Sequence, residues 1–158
     1  MRHVVISILF VAMPGASSAQ TANDRDVVLQ TVQTFFNTMT TNDAEGAGKI
    51  LMPRGRFHIM DMRKSTLEPR TFTGEKYLAR MRKSKQTRRE RIWDPEVRVH
   101  GLIASVWAPY DFWVDGKFSH CGVDLFDLIK TAAGWKIAGG TYTVEAKCAP
   151  SPLGPLKQ

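Results

Sequence analysis

The chain has 158 residues, 43% of them hydrophobic and 23% charged, which is typical of one globular domain with a sizeable core. It contains no internal repeat and no long low-complexity segment, which excludes a repeat array. The formal net charge is +7, and residues 80–91 hold seven of the basic side chains. Because no aromatic residue is interleaved with this basic window, the pattern favours the solvated side of a helix and an outer strand over a patch for nucleic acid or lipid headgroups.

Residues 1–19 have the pattern of a secretory signal peptide. A short positive start leads into an apolar run from Val4 to Met13, and small residues at 16–19 fit a signal-peptidase site. A membrane anchor is the alternative, but a span needs about 20 apolar residues and this run is far shorter. We therefore expect a mature chain that begins at Gln20 and is periplasmic or secreted, with no stable membrane insertion.

The first half of the mature chain is predicted to be mainly helical. Apolar residues at helical spacing predict a first helix over residues 23–39, capped by Asn23 or Asp24, and a short second helix over residues 44–51. Residues 56–61 alternate like a strand. Thr73 is the predicted cap of a third helix that continues to about residue 84.

From residue 87 onward the sequence is typical of strands and turns. Residues 91–100 predict one strand with an irregularity at Asp94-Pro95, since proline cannot donate to a ladder. Asp115-Gly116 separates two aromatic-rich runs and predicts a tight hairpin, because both turn residues must accept positive φ. Residues 131–134 turn a second hairpin. Helices that precede an antiparallel sheet predict an α+β fold with the helices packed on one face.

The hairpin register predicts a pocket. Counting outward from the first turn places Asp111 opposite His120 and Trp107 opposite Asp124, all on one face, because side chains alternate along a strand. A slip of one residue in either hairpin would break this grouping. The catalytic candidates are Asp111, His120 and Asp124, and the ligand-binding candidates are Trp107, Trp113, Phe126 and Thr141.

Each candidate also has a structural interpretation. His120 bonded to Asp111 could hold the hairpin register inside an ordinary core, and the aromatic residues could be core or pocket wall. A metal site made of Asp111, His120 and Asp124 is disfavoured because the Asp–His pair would already occupy the imidazole. The sequence has no zinc signature, phosphate loop or nucleophile elbow. We therefore expect neither a cofactor nor a metal.

The opposite face of the predicted sheet is also apolar. In the same register it carries Tyr110, Phe112, Val123 and Tyr142. A face of this kind is too apolar to leave in water. It predicts a homodimer that forms sheet to sheet, and a small apolar patch on a monomer is the alternative.

The chain has two cysteines, Cys121 and Cys148. Their spacing fits no metal motif, and an even count in an exported protein is consistent with a disulfide. Such a bond would join the proline-rich tail, residues 149–158, to the sheet. Two unpaired thiols are the alternative.

The predicted order of helix, short helix, strand, helix and curved antiparallel sheet resembles the nuclear transport factor 2-like superfamily. Residues 106–112, 115–117, 119–126 and 134–137 resemble its exported branch described as putative lumazine-binding. The resemblance implies a cone-shaped single domain over residues 20–148, in which three helices of the N-terminal half and a curved sheet enclose a pocket. It also implies frequent dimers. Relatives include isomerases, dehydratases, polyketide cyclases and proteins without catalysis, so the fold does not determine the function.

Three functions are consistent with these features. The first is an exported protein that binds a small, mostly apolar or aromatic molecule, which requires only shape and a few polar anchors. The second is a cofactor-free acid–base enzyme of the isomerase, dehydratase or cyclase type, which requires a titratable pair with shifted pKa values open to the pocket. The third is a dimeric interaction protein with a filled pocket. The first is the prediction, with a homodimer expected and no nucleic-acid partner.

Overall fold

The structure is a computed structural model that describes the backbone of residues 16–156 and the side chains of residues 22–156. The predicted signal peptide lies outside these residues, apart from the backbone of its last four. The elements are α1 (Ala16–Thr41), α2 (Ala44–Ile50), β1 (Leu51–Asp61), β2 (Arg70–Thr73), α3 (Gly74–Lys83), β3 (Arg88–Ile92), β4 (Glu96–His100), β5 (Ile103–Val114), β6 (Lys117–Thr131) and β7 (Gly134–Val144). No described helix is both long and apolar enough to cross a membrane.

Helix α1 packs on the sheet through the predicted apolar stripe. Its buried side chains are Val28, Val32, Phe35, Phe36 and Met39. The sequence predicted Asn23 or Asp24 as the cap of this helix, but both lie inside it, because the helix is already formed at Ala16. Instead Asp24 is buried, and its Oδ1 accepts hydrogen bonds from Lys130 Nζ at 2.6 Å and Trp135 Nε1 at 3.3 Å. This contact joins α1 to β6 and β7.

The two short helices begin at side-chain caps. Asp43 accepts a hydrogen bond from the backbone of Gly46, and Thr73 accepts one from the backbone of Lys76, so the predicted cap of α3 is confirmed. α2 ends one residue earlier than predicted, and β1 starts directly after it.

The seven strands form one sheet in the order β2–β1–β7–β6–β5–β3, with β4 beside the first half of β5. β1 and β7 are parallel, so the sheet is mixed, whereas the prediction was a purely antiparallel sheet. No hairpin joins these two strands, and the hairpin signals therefore carry no information on their relative direction. The predicted single strand over residues 91–100 is two strands, since the chain breaks around Asp94, which has φ of +45°.

A bulge in the first hairpin changes its predicted register. Val114 pairs with Lys117 and Trp113 with Phe118, as predicted, but Ser119 is an extra residue on β6. Beyond it Phe112, not Asp111, lies opposite His120. An extra residue shifts the pairing by one position. Beyond the bulge, two residues that were expected to be partners on the same face therefore lie on opposite faces of the sheet. The predicted Asp111–His120 and Trp107–Asp124 pairs are therefore wrong.

The second hairpin contains a similar bulge. Leu128 pairs with Ile137 as predicted, but Ala138 is an extra residue on β7, so Asp124 lies opposite Tyr142 and not opposite Thr141. Thr141 instead pairs with Leu125.

The helices cover one face of the curved sheet, the inner face, and the other face is the outer face. Tyr110, which was predicted on a dimer surface, lies on the inner face and is 1% exposed. The face predicted for dimerisation is therefore mostly core and cavity wall. The outer face carries Trp107, which is 48% exposed, with Leu125 directly opposite it.

Candidate functional site

A cavity of about 220 Å³ lies between the helices and the inner face of the sheet. Helices α1 and α3 and strands β1, β2, β3, β5, β6 and β7 all contribute to its wall. Most of the lining is aromatic or aliphatic. The lining residues are Phe35, Met39, Phe57, Ile59, Phe72, Tyr77, Arg80, Arg88, Glu90, Tyr110, Phe112, His120, Asp124, Phe126 and Tyr142.

The cavity brings together three of the seven predicted site residues. His120, Asp124 and Phe126 are separated by even numbers of residues on β6, so their side chains share one face, and all three line the cavity. The other four, Asp111, Trp107, Trp113 and Thr141, do not line it. The bulges are the reason, because they place these four on the outer face while β6 keeps its inner-facing residues.

Asp111 belongs to a separate polar cluster on the outer face. It is 3% exposed and accepts two hydrogen bonds from Arg91, at 2.9 and 2.5 Å, and a third from Trp113 Nε1 at 2.9 Å. Arg91 also donates to the carbonyl of Gly154 at 2.7 Å. A buried, bidentate pair between an arginine and a carboxylate fixes the relative orientation of the two side chains. Here it fixes the C-terminal tail against the sheet.

The predicted disulfide is present close to this cluster. Cys121 and Cys148 are bonded, with their Cα atoms 6.2 Å apart. Cys121 lies on β6 directly after His120, and its side chain is on the outer face. The bond therefore joins the tail to the strand that carries the cavity residues.

Asp124 has a carboxyl partner that the sequence analysis missed. Glu90, on β3, forms a hydrogen bond with Asp124 across the cavity wall. Glu90 lies inside the basic window, which was interpreted as a solvated surface. Its distance of two residues from the buried Ile92 was the signal that could have placed it on the inner face.

Burial and mutual repulsion raise the pKa values of both carboxyl groups. Burial raises the pKa of Asp124 to about 7, against the opposing effect of the hydrogen bond from Glu90. Burial and the adjacent Asp124 raise the pKa of Glu90 well above its ordinary value. Near neutral pH Glu90 is therefore the neutral donor, and Asp124 accepts its proton in a hydrogen bond. The pair carries one negative charge when Asp124 ionises.

Two polar atoms of the wall remain available to a ligand. Asp124 Oδ2 and the hydroxyl of Tyr77 are both buried, and neither forms a hydrogen bond with any residue that the structure describes. Burial raises the pKa of Tyr77, so its hydroxyl stays a donor. By contrast, Tyr110 donates to the carbonyl of Thr143 at 2.6 Å. These two atoms are thus an acceptor and a donor in the wall of a mostly apolar cavity.

His120 is a neutral side chain of the wall. Its ring stacks on Phe112 at 4.8 Å, and Nδ1 is 3.0 Å from Ser119 Oγ. Burial lowers the pKa of His120 to about 4. No carboxylate lies opposite it, so the predicted Asp–His proton pair does not form. Among residues 22–156 no group of three His, Cys, Asp or Glu side chains is arranged to hold a metal ion.

The chain matches the model of the family described as putative lumazine-binding over residues 23–143. No curated protein matches the chain at a significant level. It is similar in structure to a nuclear transport factor 2-like protein from Cytophaga hutchinsonii, at 20% identity and a TM-score of 0.65, over 76% of this chain and 97% of that one.

Two further solved structures are similar. One is a putative dehydratase of the nuclear transport factor 2-like family from Streptomyces avermitilis, at 16% identity and a TM-score of 0.61, over 80% of this chain and 99% of that one. The other is the beta subunit of a putative aromatic-ring-hydroxylating dioxygenase from Novosphingobium aromaticivorans, at 11% identity and a TM-score of 0.64, over 88% and 99%. At these identities the likeness establishes the fold alone. The chain belongs to the putative lumazine-binding family, and its fold is that of the nuclear transport factor 2-like structures.

Proposed function

We propose that this chain is an exported protein that binds a small, mostly apolar or aromatic molecule in the cavity, with the Glu90–Asp124 pair as its polar anchor. The observation that carries the proposal is the unpartnered Asp124 Oδ2, buried in the wall of an aromatic cavity. A buried acceptor without a partner costs roughly 1–3 kcal/mol. A ligand that donates a hydrogen bond to it recovers this free energy.

The size of the cavity limits the ligand. An apolar cavity of about 150 Å³ is enough to hold benzene. The present cavity, at about 220 Å³, suits a compound of one or two fused rings. The aromatic rings of Phe35, Phe126 and Tyr77 offer edges and faces for such a ring system.

Specificity is expected to come from the polar anchor. A hydroxyl or N–H of the ligand would donate to Asp124 Oδ2, and a carbonyl could accept from Tyr77. A site built around hydrogen-bonding groups discriminates strongly against analogues that lack them, since its own buried groups are then left unpaired.

An acid–base enzyme is the second candidate, and the raised pKa of Asp124, about 7, favours it. A carboxylate with a pKa near the working pH, enclosed by apolar walls, is suited to take a proton from carbon and return it. In such an isomerisation Asp124 would remove a proton next to a carbonyl, and Tyr77 would donate a hydrogen bond to the resulting enolate oxygen.

Export and dimerisation are part of the proposal. The apolar leader of the sequence and the Cys121–Cys148 bond are consistent with an oxidising compartment. A second copy is proposed to cover the outer face around Trp107, which is 48% exposed and lies opposite Leu125 on the neighbouring strand. N-terminal sequencing of the exported protein should find Gln20 first, and an intact Met1 would contradict export.

Native mass spectrometry of protein purified from its own host tests the binding proposal. The expected spectrum contains a mass increment from a retained compound, which Asp124→Asn loses and Asp127→Asn keeps. Asp127 is the matched control because it is exposed on the same strand. Unmodified masses for every variant, together with no affinity for 2-naphthol, would contradict binding.

Exchange chemistry separates the two candidates. A folded enzyme should accelerate the exchange of the α-protons of 1-tetralone with deuterated water, measured by NMR, and Asp124→Asn should abolish the acceleration. A protein that binds 1-tetralone but leaves its exchange rate unchanged is a binder only.

A further inference from the structure

Two basic side chains of the cavity wall have no acidic partner. Arg80 and Arg88 both line the cavity, and neither forms an ion pair with any residue that the structure describes. The guanidinium of Arg80 lies 5.8 Å above the ring of Phe72, another wall residue. Arg88 is half-buried. Arg80 is exposed, so its guanidinium is accessible to an anionic group, and the half-buried Arg88 is less well solvated.

These two arginines differ from the rest of the basic window. Arg82 and Lys83 on α3, and Arg89 on β3, are exposed and do not line the cavity. Arg91 is already paired with Asp111. Arg80 is exposed like its neighbours, but it and the half-buried Arg88 also line the cavity, which the solvated-surface interpretation did not predict.

Arg88 and Asp124 lie at different levels of the sheet, and Glu90, opposite Phe112, lies between them. Along β5, Arg88 lies opposite Val114 beside the hairpin turn, whereas Asp124 lies opposite Ala108, farther from the turn. Arg80 is in the last turn of α3, which residues 84–87 connect to Arg88. Arg88 thus lies toward the hairpin turn and follows the exposed Arg80 in the chain, whereas the buried Asp124 lies farther from the turn.

This arrangement sets an orientation. An anionic group that entered first would meet Asp124, a carboxyl group that already resists ionisation beside Glu90. An anionic group beside Arg80 and Arg88 would meet two guanidinium groups, whose planar donors match a carboxylate. Field lines in an apolar cavity are focused and strengthen both effects.

We infer that the ligand is an amphiphilic anion, a one- or two-ring aromatic compound with a hydrogen-bond donor at its inner end and a carboxylate at its outer end, held by Arg80 and Arg88. The inference rests on the proposed function, because it assumes that the cavity binds a small molecule. It assigns to Arg80 and Arg88 the recognition of the anionic group and to Asp124 the recognition of the donor.

Calorimetric titration at pH 7.5 with three probes tests the inference. The probes are 6-hydroxy-2-naphthoate, 2-naphthol and 2-naphthoate. We expect 6-hydroxy-2-naphthoate to bind about tenfold or more tightly than 2-naphthol, as a charge-assisted hydrogen bond provides. Added salt should narrow the difference, since part of it is electrostatic and Arg80 is exposed to solvent.

Matched variants locate the effect. Arg80→Gln and Arg88→Gln should each weaken 6-hydroxy-2-naphthoate about tenfold and leave 2-naphthol within about twofold. Arg82→Gln and Arg89→Gln, the controls on the same helix and strand, should change neither probe. Retained 2-naphthol affinity also reports that each variant is folded.

The outcomes separate the two proposals. If 2-naphthol binds but the carboxylate adds no affinity, or if the control variants lose as much as Arg80→Gln and Arg88→Gln, the anionic ligand is excluded and the binding function stands. If none of the three probes binds the wild-type protein, both proposals fail.

Discussion

Glu90 on β3 and Asp124 on β6 hydrogen-bond to each other in the wall of a cavity that is otherwise mostly aromatic and aliphatic. Ionisation of both neighbouring carboxyl groups is unfavourable because their negative charges repel each other, and burial disfavours the charged forms further. Arg91 follows Glu90 directly in the chain, but it does not neutralise the two carboxyl groups, because it is paired with Asp111 on the outer face. The pair is therefore a group with a shared proton, suited to binding or to acid–base chemistry.

The raised pKa values predict a stability that falls with rising pH. In the unfolded chain both carboxyls ionise at about pH 4, whereas in the fold burial raises the pKa of Asp124 to about 7, and burial with the adjacent Asp124 raises the pKa of Glu90. The folded state thus binds more protons, and the free energy of unfolding should decrease from about pH 4 through pH 7.

Urea unfolding of the wild type and of the double variant Glu90→Gln, Asp124→Asn measures this effect. Between pH 4.5 and pH 8 the wild type should lose stability relative to the variant, because the folded pair binds more protons than the unfolded chain over this range. Parallel pH profiles for the two proteins would contradict the shared-proton pair.

The disulfide is predicted to stabilise the tail and the fold. Cys121 and Cys148 are 27 residues apart, and closing a loop of this length contributes about 3 kcal/mol in the chain-entropy model. The variant Cys121→Ala, Cys148→Ala should lower the free energy of unfolding by about that amount. A thiol assay on the unreduced, unfolded exported protein should find no free thiol, and two free thiols would refute the bond.

The outer face is predicted to be the dimer surface. Trp107 is 48% exposed there, beside Leu125 and the half-buried Val123. Light scattering should find a dimer at micromolar concentration for the wild type and a monomer for Trp107→Glu, because an unpaired charge in the interface is strongly unfavourable. Arg82→Glu, on the exposed side of α3, is the control that should stay dimeric. A wild-type protein that is monomeric at this concentration would contradict the predicted dimer.

The sequence carried enough information for the helices and for the strand pairs nearest each turn. The stripe from Val28 to Met39 is amphipathic, and turn chemistry determined the Val114–Lys117 pair. It could not reveal the extra residues Ser119 and Ala138, because bulges follow the curvature of the whole sheet and not a local motif. All errors of register in the predicted site come from these two positions.

The site was predictable only in part for the same reason. The prediction that Asp124 lines the pocket is correct, because His120, Asp124 and Phe126 of β6 share one face in the structure as they did in the predicted register. The prediction of Trp107 as its partner across the hairpin is wrong. The actual partner, Glu90, is on a strand 34 positions earlier, and no short-range pattern connects the two. Long-range pairing of β3 with β5 supplies that contact.

The central claim is that Asp124, and not Asp111, faces the ligand. The same substitution at both positions separates them, since one carboxyl lines the cavity and the other pairs with Arg91 on the outer face. Asp111→Asn weakens a buried ion pair and should lower the free energy of unfolding by about 3 kcal/mol. It should leave ligand affinity unchanged.

The most direct test is therefore a fluorescence titration of 2-naphthol into Asp124→Asn and Asp111→Asn, at a temperature where both are folded. We predict that Asp124→Asn weakens binding about tenfold or more, as the loss of a hydrogen bond to a charged acceptor requires, while Asp111→Asn binds like the wild type. Equal affinities for both variants and the wild type, or a loss confined to Asp111→Asn, would contradict the assignment of the site to the Glu90–Asp124 pair.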